Sequence, residues 1–220
     1  MQFKNKTRVS AILIIGCFLL SFGKSYGQQT DSLQYRNFNI NFQQGLKQEP
    51  IFTEFFEAVK FQIDLLNALR LSDQILNALQ KVPIDLVSET QSKRLSPGSY
   101  SPLKNRMNIS SKIIKMRSKP ILIHELMHAY QHKVLPDGTS NTAVTKAFDH
   151  ASKLNMYNAK SHMMKNIGEY FACFATTYLY GITGQEPFTR EKIKASQPDL
   201  YEFMQKTFGK KSGNYAGKLE

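Results

Sequence analysis

The sequence KPILIHELMHAYQH, from residue 119 to residue 132, constrains the chain most, because it places two histidines four residues apart. Residues at this spacing lie on the same side of an α-helix, so His124 and His128 would present two imidazoles to one point. Glu125 follows the first histidine and is rotated about 100° around the helix axis. Its carboxylate would therefore lie beside that point.

This arrangement is typical of a helix that holds a catalytic zinc ion. Pro120 precedes an apolar run and Pro-Asp-Gly at 136–138 follows, so a helix is predicted between them. We expect His124 and His128 to be Zn²⁺ ligands and Glu125 to be the general base that takes a proton from water. The alternative is a helix whose polar face carries these residues by chance.

A catalytic zinc ion requires a third protein ligand and one open position. His132 does not qualify, because it lies eight residues after His124, about 12 Å along the helix axis. It is expected beside the site or at the surface. The metzincin pattern requires a histidine six residues after His128, but Val134 occupies that position. The third ligand therefore comes from elsewhere in the chain.

Glu169 is the best candidate for the third ligand. It lies in the apolar run GEYFACFA at 168–175, within a predicted helix over residues 166–181. A carboxylate among aromatic residues is costly to bury unless a positive group receives it, and a metal ion would do so. The alternative is a solvent-exposed glutamate on an amphipathic helix.

Together, HELMH at 124–128 and NIGEYFACF at 166–174 resemble the gluzincin metallopeptidases, particularly the anthrax lethal factor-type catalytic domain. In that branch the third ligand precedes a (Tyr/Phe)-Phe-Ala segment, as Glu169 precedes YFA. The resemblance implies that Glu169 completes the zinc site and that Glu125 serves as base and then as acid to the leaving amine. It also implies that an extended peptide pairs with an edge of the strand before the helix.

Two positions depart from that branch. A tyrosine that steadies the oxyanion is common seven residues before the glutamate ligand, but this chain has His162. An imidazole can donate the same hydrogen bond, so His162 is predicted to be catalytic, with an unrelated surface histidine as the alternative. Tyr157 is a substitute donor in the same loop. Cys173 stands where the branch tends to have an acidic residue, either as a small buried thiol or as a group that tunes the metal.

The N-terminus has the features of a secretory signal peptide. Three basic residues precede the uncharged segment 9–23, and small residues follow at Ser25 and Gly27. We expect cleavage after Gly27 and a secreted or periplasmic protein with no remaining membrane segment. An uncleaved anchor and lipid attachment at Cys17 are the alternatives.

The charge distribution argues against nucleic-acid binding, and the cysteine content argues against an intramolecular disulfide. The chain has a formal charge of +12, and residues 1–27 contain four basic and no acidic residues, so 12 − 4 leaves +8. The basic residues are scattered and match no nucleic-acid-binding motif, so no nucleic acid partner is expected. Only Cys173 remains after cleavage, which excludes an intramolecular disulfide.

The pattern of apolar residues predicts a mostly helical α+β fold with a small sheet before the helix of residues 121–133. Residues 28–52 are interpreted as a polar leader with a short extended piece at 36–42. A single zincin-like domain is expected over 53–220, with N-terminal helices at 53–82 and the catalytic part at 83–220. The predicted elements are helices at 53–82 interrupted at 71–73, strands at 84–89 and within 106–117, a turn at 96–102, and helices near 144–154, 166–181 and 198–208.

These features favour an exported zinc metallopeptidase that acts on a peptide or protein substrate. Two other functions remain open: a catalytically silent zincin fold that serves as a binding module, and a zinc amidase that acts on cell-wall peptides, which a basic surface would suit. The sequence determines neither the cleavage specificity nor the oligomeric state.

Overall fold

A five-stranded sheet and seven α-helices form the part of the chain that the structure, a computed structural model, describes: residues 30–88 and 96–215. The expected signal peptide at 1–27 lies outside the described residues. Within them, no helix has both the length and the apolar character needed to cross a bilayer. The mostly helical α+β class predicted from the sequence is confirmed.

The sheet is mixed, with the order β1-β2-β3-β5-β4. Strands β2, β3 and β5 run parallel, whereas β1 and β4 pair antiparallel with β2 and β5 and form the two edges. The strands are β1 (Thr30–Tyr35), β2 (Phe38–Gln43), β3 (Ile84–Val87), β4 (Gly98–Ser101) and β5 (Arg106–Ser110). The helices are α1 (Phe52–Ala68), α2 (Asp73–Gln80), α3 (Ile121–Lys133), α4 (Thr142–Lys153), α5 (Ile167–Tyr180), α6 (Arg190–Ser196) and α7 (Pro198–Phe208).

The N-terminal strands differ from the leader expected at residues 28–52. Phe38, Ile40 and Phe42 alternate with polar residues, and all three are buried on one face of β2. Arg36 and Asn37 both have positive φ angles of 46° and 66°, as a two-residue hairpin turn requires. The alternation and the turn place residues 30–43 in the sheet, so a loose leader is the wrong interpretation there.

A second difference concerns the strand next to α3. Residues 98–101 lie in a stretch predicted to be a turn but form β4, which is an edge of the sheet. The predicted strand at 106–117 is β5 only up to Ser110, and a 3₁₀ helix follows at Ser111–Met116. Because β5 is paired on both sides, β4 and not β5 is the strand beside α3 whose outer edge has no partner among the described strands.

The helices follow the sequence predictions closely, apart from α6, which was missed. Helix α2 begins where the Ser72 side chain accepts a hydrogen bond from the backbone of Ile75. Asn166 caps α5 in the same way, by accepting from the backbone N–H of Glu169 at 2.9 Å. Gly181 ends α5 with a φ of 104°, a conformation that favours glycine.

A buried side chain attaches the start of α3 to α1. Gln62 is fully buried, and its Nε2 donates to the carbonyl oxygens of Arg117 and Lys119 at 2.6 and 2.7 Å. Its Oε1 accepts from the backbone N–H of Leu122 at 3.1 Å. The N–H of Leu122 has no carbonyl partner within the first turn of α3, so Gln62 supplies the missing acceptor.

Candidate active site

Three side chains from two helices meet at one point of the structure. His124 and His128 extend from α3 and Glu169 from the first turn of α5, 41 residues beyond His128. The Nε2 atoms of the two histidines are 3.2 Å apart, and each lies 3.2 Å from Oε2 of Glu169. The sequence predicted that these three residues would converge, and the structure brings them together.

Local structure explains how each group reaches this point. The four-residue spacing puts the two imidazoles on one face of α3, one turn apart. The cap formed by Asn166 fixes the start of α5, so Glu169 is held in its first turn. Both helices pack into the buried core along their remaining faces. The relative positions of the three groups therefore depend on how α3 packs against α5.

The electrostatics favour an ionised Glu169 carboxylate beside a neutral His124 imidazole. Burial alone would raise the pKa of Glu169, but hydrogen bonds to His124 and His128 lower it well below its usual range. Burial lowers the pKa of His124, which keeps this imidazole neutral near pH 7. A negative carboxylate and neutral ring nitrogens are the protonation states that metal ligands require.

The donor set fits a tetrahedral metal ion. Zinc binds histidine nitrogen and carboxylate oxygen at about 2.0–2.1 Å, so two tetrahedral ligands should lie about 3.3–3.4 Å apart. The three observed separations of 3.2 Å are close to that value. Two Nε2 atoms 3.2 Å apart also need a proton or a cation between them, since their lone pairs would otherwise repel. Both observations indicate a metal site rather than a polar cluster of the surface.

Glu125 lies beside this cluster and is 7% exposed. Burial raises its pKa to about 7, while the charge of His128 and a backbone hydrogen bond from Tyr100 act in the opposite direction. The Cα of Gly98 is so near that a β-carbon there would lie 2.8 Å from Cγ of Glu125. Strand β4 therefore holds the carboxyl group in place.

His162 also reaches the cluster, in agreement with its predicted position at the site. It begins the 3₁₀ helix His162–Lys165, and its Nε2 lies 2.9 Å from Oε2 of Glu169. Nζ of Lys165 lies 3.0 Å from Nδ1 of His162. Since an ammonium group can only donate, Nδ1 is the acceptor and Nε2 carries the proton. His162 thus directs an N–H donor into the site.

Three other residues singled out in the sequence have different surroundings. The Tyr157 hydroxyl pairs with Ser196 at 3.1 Å and does not face the cluster, so Tyr157 is not the substitute donor. His132 is outside the cluster and bonds through Nδ1 with the Tyr100 hydroxyl at 3.0 Å. Cys173 is buried, and burial raises the pKa of its thiol to about 12. Cys173 therefore remains a neutral thiol.

The three clustered side chains, Glu125 and His162 line a cleft of about 1220 Å³ between α3, β4 and α5. Two further residues in its wall, Gln131 and Thr176, were not identified from the sequence. Each has a buried side-chain polar atom, Nε2 and Oγ1 respectively, with no hydrogen-bond partner among the described residues. Both lie seven residues after a predicted ligand, His124 and Glu169, and this spacing could have revealed them.

Comparisons with known proteins agree with this geometry. A family model described as the anthrax toxin lethal factor, N- and C-terminal domain, matches residues 97–207. The matched range runs from β4 to α7 and includes every residue of the cluster. No curated protein matches the chain significantly.

A solved structure has the same fold. It is a Pro-Pro endopeptidase from Paenibacillus alvei, which superposes with a TM-score of 0.52 at 22% sequence identity. The superposition covers 77% of this chain and 97% of that one. The zincin-like fold expected from the sequence is therefore confirmed.

Proposed function

Because this chain belongs to the anthrax toxin lethal factor family of zincin-type metallopeptidases, we propose that it hydrolyses peptide bonds in a peptide or protein substrate, with Glu125 as general base. The observation that carries the proposal is the triangle formed by His124, His128 and Glu169, with Glu125 beside it. We assign zinc as the metal and these three residues as its ligands. Bound there, zinc would lower the pKa of a water molecule and polarise the scissile carbonyl.

Glu125 is placed to move protons between water and the leaving amine. It follows a ligand directly, lines the cleft and is held by the backbone of Tyr100. A carboxylate in this position accepts a proton from the attacking water and then donates it to the departing nitrogen. Its fixed position matters, because proton transfer requires hydrogen-bond distance to the reacting atoms.

His162 is proposed to stabilise the negative charge that develops on the carbonyl oxygen. Its Nε2–H is directed into the site, and Lys165 holds the tautomer by donating to Nδ1. A donor placed where charge develops is worth more in a site that excludes water. His162 would therefore perform the role of the tyrosine common in the lethal factor-type branch.

The substrate is proposed to bind in an extended conformation along β4. This strand is an edge of the sheet, and its residues Gly98, Ser99 and Tyr100 line the cleft. Backbone pairing at an edge gives affinity, while pockets for side chains give specificity. We also propose that the protein is secreted or periplasmic, by cleavage of residues 1–27 after Gly27.

A catalytically silent binding module of the same fold is the second candidate. The observation in its favour is His162 at the position where the branch commonly has tyrosine. Such a module would keep the metal and the cleft but would not turn substrate over.

One experiment separates these functions. The purified chain is analysed for zinc per molecule and incubated with a peptide library, beside Glu125→Gln and the exposed control Glu202→Gln on α7. Peptidase function predicts cleavage by the wild type and the control but not by Glu125→Gln, with zinc retained in all three. Zinc without cleavage would support the silent module, and release of fragments from purified cell wall without peptide cleavage would support an amidase.

A further inference from the structure

A stripe of side chains continues along α5 beyond Glu169. Cys173, Thr176 and Tyr180 follow at helical spacing, and all of them line the cleft. The Tyr180 hydroxyl donates to the carbonyl oxygen of Ser118 at 2.9 Å, which links the end of α5 to the segment before α3. We call this part of the cleft the α5 recess; its walls include Met116, Ser118, Cys173, Thr176, Tyr180 and Gln185.

Thr176 stands out in the recess because its hydroxyl has no partner. The residue is 4% exposed, and its Oγ1 makes no hydrogen bond with any described residue. A threonine within a helix can bond to the carbonyl four residues earlier, but Thr176 does not. The adjacent Thr177, by contrast, pairs with Oγ1 of Thr183 at 3.1 Å. Since an unpaired buried hydroxyl is costly, a ligand group that pairs with Thr176 would gain affinity.

The side chains named as walls of the α5 recess carry no formal charge. Cys173 retains its proton, and its Sγ accepts a weak hydrogen bond from Nε2 of Gln185 at 3.6 Å. Besides Glu125 and Glu169, two charged residues line the cleft, Lys119 and Glu186. Lys119 is exposed, and the carboxylate of Glu186 accepts from the backbone N–H of Asn158. A neutral group with hydrogen-bonding capacity therefore suits the recess better than an ion, whose burial would leave a charge unpaired.

We propose that the α5 recess binds one uncharged polar side chain of the peptide substrate, an amide or a hydroxyl, by a hydrogen bond to Oγ1 of Thr176. The inference rests on the proposed function, since it assigns a specificity determinant to that same cleft. A site built to hydrogen-bond a substrate group discriminates strongly against the analogue that lacks it, because the buried partner then remains unpaired.

The test measures binding rather than turnover. The full-length Glu125→Gln protein, loaded with zinc, is used to select from a displayed library of random hexapeptides. The same selection is made with Thr176→Val and with Thr176→Ser added to Glu125→Gln. Valine replaces the hydroxyl with a methyl group of similar size, while serine keeps the hydroxyl and is the matched control. Thermal melting curves establish that all three proteins are folded.

We expect Asn, Gln, Ser or Thr to be enriched about tenfold over Val and Leu at one peptide position. This enrichment should persist with Thr176→Ser and disappear with Thr176→Val, while preferences at the other positions stay unchanged. Absence of polar enrichment, the same enrichment in Thr176→Val, or failure of every protein to retain peptides would overturn the proposal. Failure of the proposed function is scored separately, by whether wild-type cleavage depends on Glu125.

Discussion

Gly98 in β4 lies in direct contact with Glu125 in α3. A β-carbon at residue 98 would be 2.8 Å from Cγ and 3.0 Å from Oε1 of Glu125, and 2.9 Å from Cγ2 of Ile121. Such distances are shorter than van der Waals contact, so any side chain would push the strand and the helix apart. The glycine is required here for space, and it lets the edge strand fix the carboxyl group.

Gly98→Ala should therefore lower kcat while leaving zinc content unchanged. Displacement of a catalytic group by about 1 Å can reduce the rate about a hundredfold. The control is Gly45→Ala, because a β-carbon at Gly45 would meet nothing within 4 Å. Steady-state kinetics and metal analysis on both variants would check this prediction. Unchanged kcat in Gly98→Ala would show that the close contact does not position Glu125.

Gln62→Leu should destabilise the protein without removing any residue of the cleft. The change leaves the buried N–H of Leu122 and the part-buried carbonyl of Arg117 without this partner, whereas the carbonyl of Lys119 still accepts from the backbone N–H of Ile121. At about 1–3 kcal/mol for an unpaired buried group, the free energy of unfolding should fall by about 2 kcal/mol. Urea denaturation would measure this loss.

Gln80→Leu provides the matched control for Gln62. Its Nε2 donates at an exposed site to the carbonyl oxygen of Arg36 at 3.0 Å. Water can replace that bond, so the free energy of unfolding should change by less than about 0.5 kcal/mol. Equal losses in the two variants would contradict the role assigned to Gln62.

Metal removal should lower the melting temperature of the wild-type protein. A ligand that binds only the folded state stabilises it by about 4 kcal/mol at a thousand times its dissociation constant. We expect added zinc to raise the Tm of chelator-treated wild type and of His132→Ala, but not of His128→Ala. His132 lies one turn beyond His128 on the same helix and bonds with Tyr100 instead. A lost zinc response in His132→Ala would contradict the ligand set.

The thiol of Cys173 should resist alkylation in the folded protein. Burial raises its pKa to about 12, so little thiolate forms below that pH, whereas the unfolded chain ionises near 9. The folded state binds this proton more tightly, so the contribution of Cys173 to stability is complete below about pH 9 and is lost as the pH rises towards 12.

Labelling with iodoacetamide at pH 8, with and without urea, would test this protection. Cys17→Ser leaves Cys173 as the single thiol, since the chain has two cysteines. Rapid labelling of the native protein would show that the thiol is accessible and ionised. Slow native labelling and fast labelling in urea are expected.

The metal ligands could be predicted because their spacing and their sequence neighbours are unusual for polar residues without a metal. The spacing of His124 and His128 depends only on helix geometry, and the burial of Glu169 among aromatic residues requires a positive partner. Helix boundaries were predictable from local signals such as Pro120 and Gly181. In each case the information lies within a few residues of the chain.

The remaining features depend on contacts between distant segments. Strand β4 has the composition of a turn and is a strand because β5 pairs with it. The roles of Gly98 and Thr176 become visible only when α3 and α5 are placed around the cleft. The hairpin at residues 30–43 is different, since its alternation and its Arg-Asn turn are local, but the polar composition of the region obscured them.

The three hydrogen bonds of Gln62 limit how far the chain can be shortened from its N-terminal side. The family match begins at residue 97, yet Gln62 lies in α1, well before that boundary. A fragment starting at residue 97 would keep every catalytic group and lose the side chain that anchors the helix bearing two of them. Helix α1 therefore stabilises the position of α3, and fragments made for expression should include it.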